Sequence, residues 1–325
     1  MGDILYALLA VILGPVVTFA LYALINFLVS KLPRKAFRIA LPYVFVAPVL
    51  ILVGVFLVYP TIQTIFFSFM SADSSSWVGW ANYSKLFSDS SFVQTLWNNI
   101  EWVAVVPLVT VVLGIGIATL TDRLGAARER IFKSIIFMPM AISFVAASSI
   151  WRLTYSWTGN KTQIGMLNAL VEAFGGKPIN WLATSNFTIN NLLIMVVVIW
   201  AQSGFAMTLL SAAIKAVPEE TVEAASIDGA NAWQVFARVI LPQIRVTAVS
   251  VFITVLISTM KIFDVIWGMT GGDFNTNVLG VDFFKEYFVF QNTGKASAVV
   301  VLLMLAIIPI MIYQIRTYRK QEELR

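Results

Sequence analysis

Residues 189–213 read INNLLIMVVVIWAQSGFAMTLLSAA, a stretch from Ile189 to Ala213 without one charged side chain. Wound into an α-helix at about 1.5 Å per residue, such a run crosses a hydrocarbon core about 30 Å thick. Comparable apolar windows recur at about 4–29, 39–59, 97–120, 133–154, 248–268 and 296–315. The pattern therefore predicts an all-α, polytopic membrane bundle of about seven helices. Composition agrees: of 325 residues, 59% are hydrophobic and 12% charged, against about a quarter charged in soluble domains. A water-soluble enzyme is excluded.

The chain has no cysteine and no histidine. Disulfides, thiolate chemistry, imidazole acid–base catalysis and nitrogen or sulfur metal sites fall away together, leaving carboxylates, amides and hydroxyls. The net charge of +5 needs no nucleic-acid partner, because a bilayer protein gains such an excess by keeping Lys and Arg in its cytoplasmic loops.

Basic residues alternate between the intervals that separate the spans. Lys31, Arg34, Lys35 and Arg38 follow the first span, Arg123, Arg128, Arg130 and Lys133 the third, Lys215, Arg238 and Arg245 the fifth, and Arg316, Arg319, Lys320 and Arg325 the last. The other intervals hold only Lys85, Lys161, Lys177, Lys285 and Lys295. The positive-inside rule then places the first group in the cytoplasm, with the N-terminus outside and the C-terminus inside. Asp3 ahead of the first span fits that direction, and an acidic start before a long apolar run is unlike a cleaved signal peptide.

The outer segments hold Ser, Asn, Gly and aromatic residues, among them Gly175-Gly176-Lys177-Pro178. Trp77, Trp80, Trp97, Trp102, Trp157 and Trp181 fall near outer span boundaries, where an indole sits well at headgroup level. Three glycosylation-like triplets, beginning at Asn82, Asn160 and Asn186, are too short a pattern to carry a role.

One cytoplasmic interval, 214–247, is over three times the length a helical hairpin needs. Pro218 suits a first helical turn, and Glu219, Glu220 and Glu223 sit where the positive end of the helix dipole favours carboxylates. The helix is expected to stop at Gly229, the residue that most readily turns left-handed. Asn231 then caps a second helix from Ala232 to Ile240, which Leu241-Pro242 is expected to end before the sixth span. Two adjacent alanines and a glycine let another protein's surface approach the backbone closely. A surface-lying amphipathic helix without a partner is the plainer alternative.

Glu223-Ala224-Ala225-Ser226-Ile227-Asp228-Gly229-Ala230, followed by Ile240-Leu241-Pro242, resembles the EAA signature of permease subunits of binding-protein-dependent ABC importers. The tail departs from that signature in placing Ile240 directly before Leu241. Similarity extends to Leu41-Pro42-Tyr43, Ala47-Pro48, Val78-Gly79-Trp80-Ala81-Asn82-Tyr83, Phe137-Met138-Pro139, Lys261-Ile262-Phe263-Asp264 and Thr270-Gly271-Gly272, in the manner of the maltose and glycerol-phosphate permeases. The run from Trp200 to Ala230 is most similar to the α-glucoside subgroup, which the extra N-terminal span also fits.

This resemblance implies a six-helix importer core at 39–325 with a coupling loop at 214–247, preceded at 1–38 by an N-terminal helix and a basic inner loop. It implies that Glu223, Ala224, Ala225, Asp228 and Gly229 dock on an ATPase dimer, and that a second permease, an extracytoplasmic solute-binding protein and a sugar complete the assembly. The setting it implies is a bacterial or archaeal cytoplasmic membrane. ATP and Mg belong to the partner, since Gly159-Asn160-Lys161-Thr162 lacks Walker A spacing and no other match exists. The large folded insertion of the enteric maltose permease has no counterpart, so binding-protein contacts would rest on short outer loops.

For a neutral sugar, aromatic faces and amides near mid-bilayer are expected, which makes Trp200, Gln202 and Ser203 candidates. Lys261 and Asp264, three apart in the sixth window, would share one helical face and pair, as a gate, a substrate contact or a structural ion pair. Glu101 and Arg152 lie near span ends and can snorkel. Gly114 and Gly116 suit close helix packing. A stand-alone secondary carrier is the alternative, but it calls for an internal repeat and a buried carboxylate or histidine relay, and the sequence presents no such pattern. A membrane-embedded enzyme calls for acids clustered at one boundary, and these are scattered.

Overall fold

The computed structural model describes residues 16, 19, 20, 22–27, 30, 31, 33–159, 162–183 and 189–322. Most of the expected first span, with Asp3 before it, lies outside these residues, as do Asn160 and Asn186 of the triplets. The chain divides into two compact units, Met1–Phe66 and Phe67–Arg325. Among the described residues there is no strand; a lone bridge joins Met70 to Trp77.

In the first unit, helix α1 (Arg34–Val53) continues through a π turn (Gly54–Val58) into α2 (Tyr59–Phe67). The π turn has a local cause. Pro60 has no N–H and its ring crowds the carbonyl four residues back, so the preceding turn widens, and Tyr59 donates to Gly54 O five residues earlier.

The second unit holds α3 (Ala81–Ser88), α4 (Ser90–Asp122), α5 (Ala126–Phe137), α6 (Phe144–Thr154), α7 (Met166–Ala173), α8 (Ile189–Lys215), α9 (Glu219–Ile227), α10 (Ala232–Val235), α11 (Leu241–Met260), α12 (Asp264–Met269), α13 (Leu279–Phe284) and α14 (Thr293–Glu322). Five described helical runs are long and apolar enough to cross a membrane: Phe45–Phe67, Ser90–Asp122, Ile189–Lys215, Ala232–Met260 and Thr293–Thr317. A sixth is a broken pair, Ala126–Ala141 with Phe144–Thr154, bent by 101°.

That bend corrects the straight fourth span expected at 133–154. Pro139 sits in a 3-10 turn (Met138–Ala141), Ile142 is extended, and Ser143 caps a new helix by accepting from Ala146 N at 3.2 Å. The sixth window is corrected too. Helix α11 ends at Met260, and Lys261-Ile262-Phe263 breaks the run before α12. The helix expected to stop at Leu241-Pro242 instead continues: α10 passes through a π turn (Phe236–Ile240) into α11, and Leu241 donates to Phe236 O. Pro242 stands two residues beyond that turn, as Pro60 stands beyond the first.

Helices α4 and α8 form the centre. A Cβ on Gly114 would come within 2.7 Å of Ala206 Cβ, so the missing side chain sets how closely the two helices approach; Gly116 has no neighbour within 4 Å. In lipid such close packing replaces hydrophobic driving force. Trp102, expected at the interface, is fully buried in this core. Its indole N–H points at Asn191 Oδ1, 3.4 Å away. Trp181 likewise turns inward, donating to Asn168 Oδ1 at 3.0 Å, while Trp77, Trp80, Trp97 and Trp157 are exposed.

Candidate functional site

The loop between α8 and α11 is shaped by short-range chemistry. Pro218 takes the N-cap position of α9, with Glu219 and Glu220 in the first turn. At the other end Gly229 adopts φ +83°. Its N–H bonds Ser226 O at 3.1 Å, and Ala230 N bonds Ala225 O at 3.0 Å, the paired bonds of a Schellman stop. Asn231 and Gln234 then form a reciprocal capping box at 2.9 and 2.8 Å. Glu223, Ala224, Asp228 and Gly229 are exposed and Ala225 is half-buried. Ile227, beside them, is 85% exposed, an apolar side chain with nothing from its own chain to cover it.

An ionic knot ties this loop's root to the bundle. Lys215, the last residue of α8, lies 2.6 Å from Glu129 of α5 and 3.6 Å from Asp122 of α4. Lys133 also holds Glu129 and bonds Ser211 of α8. The knot joins α4, α5 and α8 where the α9 loop begins. The groove of about 560 Å³ beside the knot is lined by the paired Glu129, Lys133 and Lys215 together with Arg130, Phe137 and Thr208.

A second feature lies halfway along α8. A cavity of about 380 Å³ opens where the α5–α6 break leaves space, lined by Ser143, Phe144, Gln202, Phe205, Thr254 and Ser258 among others. Gln202 Nε2 donates to Ser258 Oγ at 3.0 Å. An amide, hydroxyls and two phenyl faces around such a volume can solvate a polyol while covering its apolar face.

The sequence candidates separate here. Gln202 lines the cavity. Trp200 instead packs edge-on against Trp151, centroids 5.7 Å apart, and Ser203 is buried and donates to Trp200 O at 3.0 Å. Lys261 and Asp264 do not share a helical face, because the chain breaks between them, and no ion pair joins them among the described residues; Lys261 borders a separate apolar pocket of about 300 Å³. Arg152 donates to Gly268 O at 3.3 Å. Phe144, Thr254 and Ser258 escaped the sequence reading, although Pro139 signalled the break that exposes the first of them. Among the described residues no acidic cluster suits a metal ion.

Membrane-length helices, a largely apolar mid-span cavity that carries one amide and a few hydroxyls, and one long structured loop fit a membrane transport subunit. The chain belongs to the family described as binding-protein-dependent transport system inner membrane component, which matches residues 110–320. It is 42% identical over 282 residues to the osmoprotective compounds uptake permease protein GgtC of Synechocystis sp., covering 86% of this chain and 100% of that one. It is also 42% identical to the alpha-glucoside transport system permease protein AglF of Rhizobium meliloti, covering 86% and 83%. Its fold matches a chain of the bacterial alginate ABC transporter solved with an alginate pentasaccharide-bound periplasmic protein, at TM-score 0.74 and 20% identity over 85% of this chain and 93% of that one. The protein is thus a multi-pass permease subunit of an ABC importer, and ATP hydrolysis in this family resides on a separate subunit.

Proposed function

We propose that the chain forms, with a second and different permease, the path for a sugar, an α-glucoside di- or oligosaccharide, delivered by an extracytoplasmic solute-binding protein. Helix α9 is the coupling helix. Glu223, Ala224, Ala225, Asp228 and Gly229 meet an ABC ATPase dimer that carries the ATP and Mg, and closure of that dimer moves the permease helices as rigid bodies. The α9 loop faces the cytoplasm, the N-terminus lies outside and the C-terminus inside. Residues 39–325 make up the importer domain and 1–38 the additional N-terminal segment.

The observation that carries this reading is the exposed α9, stopped by its Schellman turn at Gly229 and rooted in the Lys215 knot. The solute follows from AglF by likeness and from the cavity by chemistry: Gln202, Ser258 and Thr254 suit hydroxyls, Phe144 and Phe205 a sugar face. Trp200, Ser203, Lys261 and Asp264 act on the path indirectly, through helix packing and the breaks beside it.

The test is ATP-dependent uptake by the reconstituted assembly across a panel of α-glucosides, other sugars and other osmoprotectants. Uptake confined to α-glucosides supports the assignment. If no α-glucoside is taken up while another solute is, the α-glucoside assignment is wrong and the importer assignment stands.

A further inference from the structure

The loop between α12 and α13 carries a contradiction. Phe274 and Asn275 sit at φ +56° and +62°, a left-handed conformation that is unusual for a bulky side chain and costs on the order of 1–2 kcal/mol. Buried amides from two helices impose it. Asn190 of α8 donates to Phe274 O at 2.5 Å, and Asn98 of α4 donates to Asn275 O and Asn277 O at 2.7 and 2.8 Å. Asn99 Oδ1 accepts from Leu279 N at 2.7 Å, and Asn277 bonds Thr95 at 3.0 Å. The backbone is fixed by this clamp, yet Phe274 is 54% exposed. Strain of this kind persists only where its surroundings over-determine it, and it gathers at binding sites.

The ring's place in the fold names its partner. Asn98 and Asn190 stand near the starts of α4 and α8, while Asp122 and Lys215, at their ends, meet beside the α9 loop. At 1.5 Å per residue the two ends are about 36 Å apart along α4, more than the hydrocarbon thickness of about 30 Å. The loop thus occupies the opposite membrane face from α9. On the orientation proposed above, on which this inference rests, that is the face where the binding protein that defines the family must land.

We infer that Phe274 is a pre-set anchor for the solute-binding protein, entering an apolar recess on its surface. Because the clamp orders the loop beforehand, docking loses little to ordering it.

The complete assembly in nanodiscs is titrated with purified, sugar-loaded binding protein, and a photo-crosslinking phenylalanine analogue replaces Phe274 in a parallel sample. Phe274→Ala is expected to weaken binding by about tenfold or more, and the analogue to form an adduct with the binding protein. Phe274→Gly removes the ring and relieves the left-handed backbone, so it should weaken binding equally while its thermal midpoint stays level or rises. Unchanged affinity in both variants, or adducts only with the second permease or lipid, overturns the inference and leaves the proposed function intact. Failure of the binding protein to bind the wild-type assembly overturns both.

Discussion

Lys215 Nζ lies 2.6 Å from Glu129 Oε1, joining the end of α8 to α5 three residues before Pro218 opens α9, the proposed coupling helix. Half-exposed pairs of this kind add less than about 1 kcal/mol to stability, so the pair's value lies in transmission. Lys215→Met should leave the thermal midpoint within a few degrees of wild type. Solute transported per ATP hydrolysed should fall several-fold, read by parallel uptake and phosphate-release assays. Equal loss in both assays would argue for damage at the ATPase instead.

Gly229 has open space around it but a left-handed backbone, so conformation decides what it tolerates. Gly229→Val should unravel the Schellman stop, costing about 1–2 kcal/mol locally, and reduce co-purification of the ATPase. Gly229→Asn should retain it, because asparagine tolerates this conformation. Pull-down yields from matched membranes decide the point; equal retention by Val and Asn would contradict it.

Gly204 is the reverse case. A Cβ there would meet Ile136 O at 2.6 Å and Phe137 Cα at 2.7 Å, both backbone atoms. Gly204→Val should push α8 away from the α5–α6 break and destabilise the fold by about 1–3 kcal/mol or more. A lower detergent-solubilised melting temperature is the expected readout, along with loss of the mid-span cavity's shape and of transport.

Gln202 and Ser258 share the hydrogen bond across the cavity. Gln202→Leu keeps the volume and removes the amide. One net hydrogen bond is worth about 1 kcal/mol, so uptake of a hydroxylated solute should fall about fivefold at saturating binding protein with assembly yield unchanged. Ser203→Ala, altering a hydroxyl bonded only to its own helix, should change uptake little.

Asp89 caps α4, accepting from Ser91 N at 2.9 Å and Ser91 Oγ at 2.7 Å. The Ser91 hydroxyl, then its backbone N–H, hold the carboxyl below its ordinary value. Its stabilising contribution is therefore complete above the unfolded value of about 3.9 and is lost as pH falls through the lowered folded value. Asp89→Asn should flatten the melting temperature's dependence on pH below about 4.

Legibility in the sequence followed the range of the physics. The helix ends of the 214–247 loop are readable because Pro218, Gly229 and Asn231 carry local backbone rules, and all three sit at helix ends in the structure. The apolar windows announced membrane helices from composition alone. Hydropathy does not register where an apolar run bends, so the break at Met138–Ser143 and the end of α11 at Met260 were missed, and with the latter the separation of Lys261 from Asp264. Depth along a span likewise says nothing about facing. Trp102 and Trp200 looked like an anchor and a lining residue, and both turned to helix–helix contacts. The asparagine clamp on the 274–279 segment joins residues up to 182 positions apart, beyond any local pattern.

The chain's lack of cysteine makes the central claim directly accessible. Ile227→Cys places a single thiol on the most exposed apolar position of α9. A membrane-impermeant maleimide is applied to right-side-out and inside-out vesicles, with and without the ATPase subunit. The expected result is labelling only in inside-out vesicles and protection when the ATPase is bound. Labelling in right-side-out vesicles, or labelling indifferent to the ATPase, would contradict the assignment of α9 as the element through which ATP hydrolysis drives this permease.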